Sequence, residues 1–176
     1  HQSDKGFIDR YAIHPSDLAG IDPTVPVKPG ANSMTQNGFR AILEYVPNEN
    51  LTITPSLMHQ KLEVDAPYLI DVPPGSLEDE KYIQTRLTRE DREDEVTIAN
   101  LTVNWERDLL GVTSSTSYFK RETPGIEDYT KIATALLELP TNVPWEQLDD
   151  NKTETFIQEL RLVGSKDSLD YLVGIY

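Results

Sequence analysis

Six stretches of this chain alternate apolar and polar residues with a period of two: 36–46, 51–61, 96–106, 110–120, 154–163 and 169–176. That period puts successive side chains on opposite faces of an extended strand, so the pattern predicts strands rather than helices. The links alternate too: short at 47–50, long at 62–95, short at 107–109, long at 121–153, short at 164–168. An antiparallel up-and-down wall has this layout when its two rims face different surroundings.

The faces can be read residue by residue. Phe39, Ala41, Leu43 and Tyr45 share one side of the first strand, with Arg40 and Glu44 on the other. Leu51, Ile53 and Leu57 oppose Thr52, Thr54, Ser56 and Gln60. Thr97, Ala99, Leu101, Val103 and Trp105 oppose Asn100, Thr102, Asn104 and Glu106. Leu110, Val112, Ser114, Thr116 and Tyr118 give the next strand only a weak contrast. Phe156, Leu160 and Leu162 stand against Glu159 and Arg161, and Tyr171, Val173 and Ile175 share the last apolar face. Pro55 has no N–H to donate and so argues against a regular central strand there. The region 1–35, punctuated by Pro15, Pro23, Pro26 and Pro29, reads as a strand stub at Gly6–Asp9 followed by an irregular loop.

Two traits favour a wall between lipid and water over a soluble sandwich. The polar faces carry Arg40, Glu44, Asn100, Asn104, Glu159 and Arg161 in mid-strand, which suits a wet lumen better than a packed core. Aromatic residues sit near strand ends (Tyr45, Trp105, Tyr118, Phe156, Tyr171, Tyr176), as in an interfacial girdle. No run approaches the roughly 18–20 apolar residues of a spanning helix, but a spanning strand needs only about 9–11 alternating ones. The negative mean hydropathy therefore does not separate the two cases.

A formal charge of −14 excludes nucleic acid as a partner, because phosphate binding needs clustered Lys and Arg. It also disfavours docking on an anionic membrane surface. With no cysteine there is no disulfide framework, thiolate nucleophile or Cys metal site. The start, His1-Gln2-Ser3-Asp4, does not look like a signal peptide.

The long links are acidic, with Glu78-Asp79-Glu80 and the run Glu90–Glu95. A short polar helix is expected over 77–92 and another over 127–139, ended by Pro140. The Glu90–Glu95 run lacks the Gly-containing calcium-loop spacing and reads as a solvated charge run. His1, His14 and His59 have no partner at metal-ligand spacing, so no metal and no cofactor is expected. No phosphate loop, HExxH or GxSxG word occurs, and no catalytic residue is assigned. The acceptor patterns at Asn50, Asn100 and Asn151 match N-glycosylation, although two of them overlap strands.

Several words in order resemble one family. They are Gly6-Phe7-Ile8-Asp9, then Asn37-Gly38-Phe39-Arg40-Ala41-Ile42-Leu43-Glu44-Tyr45-Val46-Pro47, then Leu51-Thr52-Ile53-Thr54-Pro55-Ser56, then Gly111-Val112-Thr113-Ser114-Ser115-Thr116-Ser117-Tyr118. Phe156-Ile157-Gln158-Glu159-Leu160-Arg161-Leu162 and Leu172-Val173-Gly174-Ile175-Tyr176 complete the set. Together they look like the middle of the barrel of a TonB-dependent outer-membrane receptor. The resemblance implies an all-β, antiparallel transmembrane β-barrel of about 22 strands around a plug. Residues 1–176 would be a partial barrel domain supplying about six to seven of those strands, with the plug domain absent. It further implies a bacterial outer-membrane location, long extracellular loops, and energy-coupled uptake of a nutrient such as an iron–siderophore complex. The TonB complex would be engaged through the missing plug.

Within that reading, substrate contacts fall to loop aromatics, Tyr68, Tyr82 and Tyr129, and the polar mid-strand residues named above face the lumen. Competing readings are a soluble all-β carbohydrate-binding module and an acidic hydrolase, the latter without supporting spacing.

Overall fold

A computed structural model of the chain describes residues 1–11, 28–71, 82–138 and 143–176. The elements are β1 (Gln2–Asp4), β2 (Asp9–Tyr11), β3 (Met34–Ile42), β4 (Tyr45–Asn48), β5 (Leu51–Val64), β6 (Ile83–Thr85), β7 (Arg92–Arg107), β8 (Leu110–Asp128), α1 (Thr130–Leu137), β9 (Glu146–Lys166) and β10 (Leu169–Ile175). One antiparallel sheet runs β1-β3-β5-β7-β8-β9-β10, with β4 also on β5. Sequence neighbours are sheet neighbours over most of this order, as in an up-and-down meander. A second, two-stranded sheet pairs β2 with β6 in parallel, Asp9 opposite Ile83 and Tyr11 opposite Thr85.

The strands outrun the apolar alternation. β7 starts at Arg92, inside the acidic run; β8 continues through Lys120–Asp128; β9 starts at Glu146. Both long links are correspondingly shorter than expected. Ladders are made by backbone groups, so a polar segment joins a strand when its neighbour is extended beside it. Here Arg92 pairs with Glu127 and Lys61 with Glu93 (3.0 Å) across adjacent strands.

The helix expected over 77–92 does not form in its described part, which is extended and carries β6. Arg86 and Glu90 are four apart and ion-paired (2.8 Å), yet the pair is held by burial and tertiary partners rather than by a helical turn. The second helix is shorter than expected, because Glu127 and Asp128 belong to β8; it stops at Glu138 in the left-handed region. His14, Glu78–Glu80 and Pro140 lie outside the described residues.

Pro55 does not interrupt β5. The irregularity falls on its neighbour instead, between β3 and β4, where Leu43 N–H donates to the Pro55 carbonyl (3.0 Å). The tight links carry Asp108 and Asp167 at φ 55, a conformation that Asp tolerates better than most residues. β9 and β10 then pair from Lys166–Leu169 to Leu160–Ile175. Gly164 makes room there: a Cβ would collide with the Tyr171 ring opposite it.

The chain divides into two units. The first comprises residues 1–37, 61–94 and 123–151, the second 38–60, 95–122 and 152–176. The first has a small core of Ile8, Ala31, Ala66 and Ala133 together with buried Arg10, Asn32, Gln84, Thr85, Glu90 and Thr130. The second contributes no residue to either set among the described residues, so its sheet is open on both faces.

Candidate functional site

In the second unit, cross-strand contacts join the separate strand faces into two sides of one sheet. Phe39 stacks on His59 (centroids 5.8 Å apart), and His59 Nδ1 lies 3.0 Å from Thr97 Oγ1. Alternation then places Leu57 and Leu101 on that side, while Leu43 falls in the break between β3 and β4. Asn100 Nδ2 donates to Ser115 (3.1 Å) and Ser117 (2.8 Å), and Thr113 donates to Asn104 (2.9 Å), all on the opposite side. Thr116 and Tyr118 therefore join the Leu101 side, where Thr116 donates to Gln158 (2.6 Å), which brings Phe156 and Leu160 with it. Val173 opposite Leu162 and Ile175 opposite Leu160 extend it to β10. The apolar residues of this side are open: Phe39 is 54 % exposed and Phe156 67 %. The polar island at Thr116 is closed on itself, since the Gln158 amide also donates to Ser114 (3.1 Å) and the Glu159 carbonyl (3.1 Å).

Of the residues assigned to a polar face, Arg40, Asn100, Asn104, Glu159 and Arg161 lie on the opposite side by alternation, with Glu159 and Arg161 ion-paired. Glu44 falls in the break between β3 and β4, outside either strand.

In the first unit, two of the three loop tyrosines meet around a residue that sequence reading had placed only in a strand stub. Phe7 packs edge-on against Tyr82 (5.3 Å, 84°) and tilted against Tyr68 (6.1 Å). All three remain about half open, at 55 %, 52 % and 57 %. Tyr129 is not in this ledge; it precedes α1 and its N–H donates to the Trp145 carbonyl (2.8 Å).

Each ring is positioned through hydrogen bonds to the backbone of its segment. Asn32 Oδ1 accepts from both Phe7 N–H and Ile8 N–H (2.8 Å each). The turn presenting Asn32 needs Gly30 at φ +58, and Gly6 lies so close to the Gly30 carbonyl that a side chain at position 6 would not fit. Tyr82 is held by its carbonyl, which accepts from Asp9 N–H (2.9 Å). The segment bearing Tyr68 is held by fully buried Gln84, whose amide donates to the Pro67 (3.5 Å) and Leu69 (3.4 Å) carbonyls and accepts from Arg10 Nε (3.1 Å).

A charged network lies in the same unit. Asp71 accepts from Thr85 N–H (2.5 Å), Thr85 Oγ1 (2.7 Å), Arg86 (3.2 Å) and Lys131 (2.6 Å). Burial pushes the Asp71 carboxyl up, but hydrogen bonds from Lys131 and Thr85 outweigh it and hold the group below the usual carboxylate range. Burial likewise lowers Arg86, and the Glu90 and Asp71 carboxylates more than reverse this. For Arg10 burial prevails over nearby Glu90, and its affinity for the proton falls. Asp128 accepts from Leu87 N–H, Thr88 N–H and Thr130 N–H, which ties α1 to the 86–90 segment.

Each carboxylate of this network is consumed by cations and backbone N–H groups, an arrangement suited to holding shape rather than to proton transfer. Among the described residues, no three His, Cys, Asp or Glu side chains come together as a metal requires. Asn32 and Gln84 carried no period or motif that could have marked them, and Phe7 stood only in a short strand stub, because their roles depend on contacts between distant segments. Compared with known proteins, the chain matches no family model, no curated protein and no solved structure.

Proposed function

We propose that this chain is part of the barrel wall of a TonB-dependent outer-membrane transporter, which takes up a nutrient such as an iron–siderophore complex by energy-coupled transport. The supporting observation is the open apolar side of the second unit, whose opposite side carries the hydrogen-bonded polar residues together with exposed Ile42, Ile157, Val163 and Leu172. Burying a large apolar side chain stabilises by about 1.5–3 kcal/mol, so about ten of them left half-exposed in water forgo on the order of 10 kcal/mol. That is comparable with the whole stability of a domain, about 5–15 kcal/mol, so this side needs a non-aqueous cover. Hydrocarbon is the cover that also suits the wet opposite side. Among the described residues no helix is long and apolar enough to cross a membrane.

In this reading the polar side, with Arg40, Asn100, Asn104, Glu159 and Arg161, faces the plug and water, and further strands of the full-length protein pair with the free edges of the sheet. The Phe7–Tyr68–Tyr82 ledge is the ligand-contacting surface, where open rings receive a ring-bearing or otherwise flat ligand. The test uses the full-length protein in vesicles, with nitroxide labels at Leu57, Leu101 and Leu160. Contact with hydrocarbon at these sites is expected. Water exposure or tight core packing at all three defeats the wall. Transport is tested separately, as growth on an iron–siderophore complex by cells dependent on this receptor, which should stop when the TonB complex is disabled.

A further inference from the structure

The apolar side of the second unit ends at a sharp border. On β8, Tyr118 is followed on the same side by Lys120 and Glu122; on β9, Phe156 is preceded there by Glu154 and Lys152. These four charges form a continuous run across the two strands. Lys120 Nζ lies 2.9 Å from Glu122, and Lys152 Nζ lies 3.5 Å from Glu122 and 3.0 Å from Glu154. Two cations balance two carboxylates, and all four side chains keep a third to a half of their surface open to solvent. Toward the other border, β9 runs from Phe156 to Lys166 before its turn, within the length at which a tilted strand spans hydrocarbon, about 9–11 residues.

We infer that Lys120, Glu122, Lys152 and Glu154 lie in the lipid headgroup layer, and that hydrocarbon begins between them and the Tyr118–Phe156 pair. The inference rests on the membrane-wall reading and adds the depth at which the wall sits. Placing the run deeper would strip water from four charges that are half-open to it. Placing it clear of the membrane would pull the open Phe156 ring out of hydrocarbon and shorten the spanning strand. The chosen depth leaves the rings at the interfacial level that aromatic residues favour, with the lysine stems along the apolar surface and their ammonium groups among the headgroups.

The chain has no cysteine to interfere with labelling. Single variants Tyr118→Cys, Lys120→Cys, Glu122→Cys, Lys152→Cys, Glu154→Cys, Phe156→Cys and Leu160→Cys of the full-length protein carry nitroxides in phosphatidylcholine vesicles. Collisions with oxygen and with a water-soluble nickel chelate are compared at each. Oxygen should dominate at 118, 156 and 160 and the chelate at 120, 122, 152 and 154, with the reversal within one same-side residue on both strands. A reversal elsewhere along the side, or at different levels on β8 and β9, overturns the assigned depth while leaving the wall intact. Chelate dominance at every position overturns the wall itself, and the depth with it. Sampling two strands keeps the test decisive if one variant fails to fold.

Discussion

Replacing Asn32 by alanine removes the one acceptor that serves two adjacent amides, buried at Ile8 and part-buried at Phe7. Asn32 is 2 % exposed, and its Oδ1 accepts from Phe7 and Ile8 N–H at 2.8 Å each. Among the described residues its own amide nitrogen has no partner, so those two bonds are what this side chain makes. A buried donor left unsatisfied costs about 1–3 kcal/mol, which applies in full to Ile8 N–H and only in part to the half-open Phe7 N–H. The loss falls on the segment that presents Phe7, so it is read most directly by amide hydrogen exchange there. The lower bound of about 1 kcal/mol corresponds to roughly fivefold faster exchange at Phe7 and Ile8, at about 1.4 kcal/mol per factor of ten. Asn50→Ala, at an exposed turn in the other unit, should leave both amides unchanged. If Asn32→Ala accelerates Phe7 and Ile8 by less than about threefold, these bonds do not position the ledge, and the account of how Phe7 is held is wrong.

Because the Asp71 carboxyl is held below its ordinary value, the stability it contributes is fully present above the unfolded carboxylate pKa of about 3.9 and is lost as pH falls through the lower folded value. Exchange in α1 should accordingly rise on acidification, and Asp71→Asn should be less stable at neutral pH and flatten that acid dependence; an unchanged profile removes Asp71 from the account. Gly164→Ala should destabilise the β9–β10 hairpin by about 1–3 kcal/mol through collision with Tyr171, and Tyr171→Ala in the same chain should recover much of that loss. Additive effects in that pair would show that the ring does not lie over the glycine. Phe7→Ala should lower affinity for a ring-bearing iron–siderophore complex more than Tyr129→Ala does, by about tenfold if one aromatic contact of about 1.4 kcal/mol is lost. Equal effects would dissolve the ledge as a binding surface.

The strand faces of the second unit were legible because a period of two is a local property. Phe39, Leu101 and Phe156 each announce their side from their immediate neighbours, whereas Tyr118, beside Phe119, is placed only by the cross-strand bonds. The polar ends of the same strands were illegible for the complementary reason: Glu122–Asp128 and Glu146–Thr153 carry charge without apolar alternation, and only pairing with the next strand makes them extended. The 77–92 segment misled in a different way. Its charges suit an exposed helix, whereas Gln84, Arg86 and Glu90 are used as buried partners of Arg10, Asp71 and Asp128. Tyr68 and Tyr82 could be nominated by type and loop position, but their meeting at Phe7 could not. That contact depends on β2 and β6 lying side by side, and parallel pairing of two short segments leaves no periodic trace.

The parallel β2–β6 pair has a consequence for the order of assembly. Most strands of the large sheet follow one another in the chain, and each hairpin can zip onto the last at little loop-closure cost. The buried contact between Arg10 and Gln84 instead joins positions 74 residues apart, so it forms only after a long intervening segment has been gathered in. Maturation therefore runs from hairpins to ledge. A partly assembled chain would already present a near-complete sheet while lacking its aromatic surface, and fluorescence of Tyr68 and Tyr82 would lag strand formation during refolding.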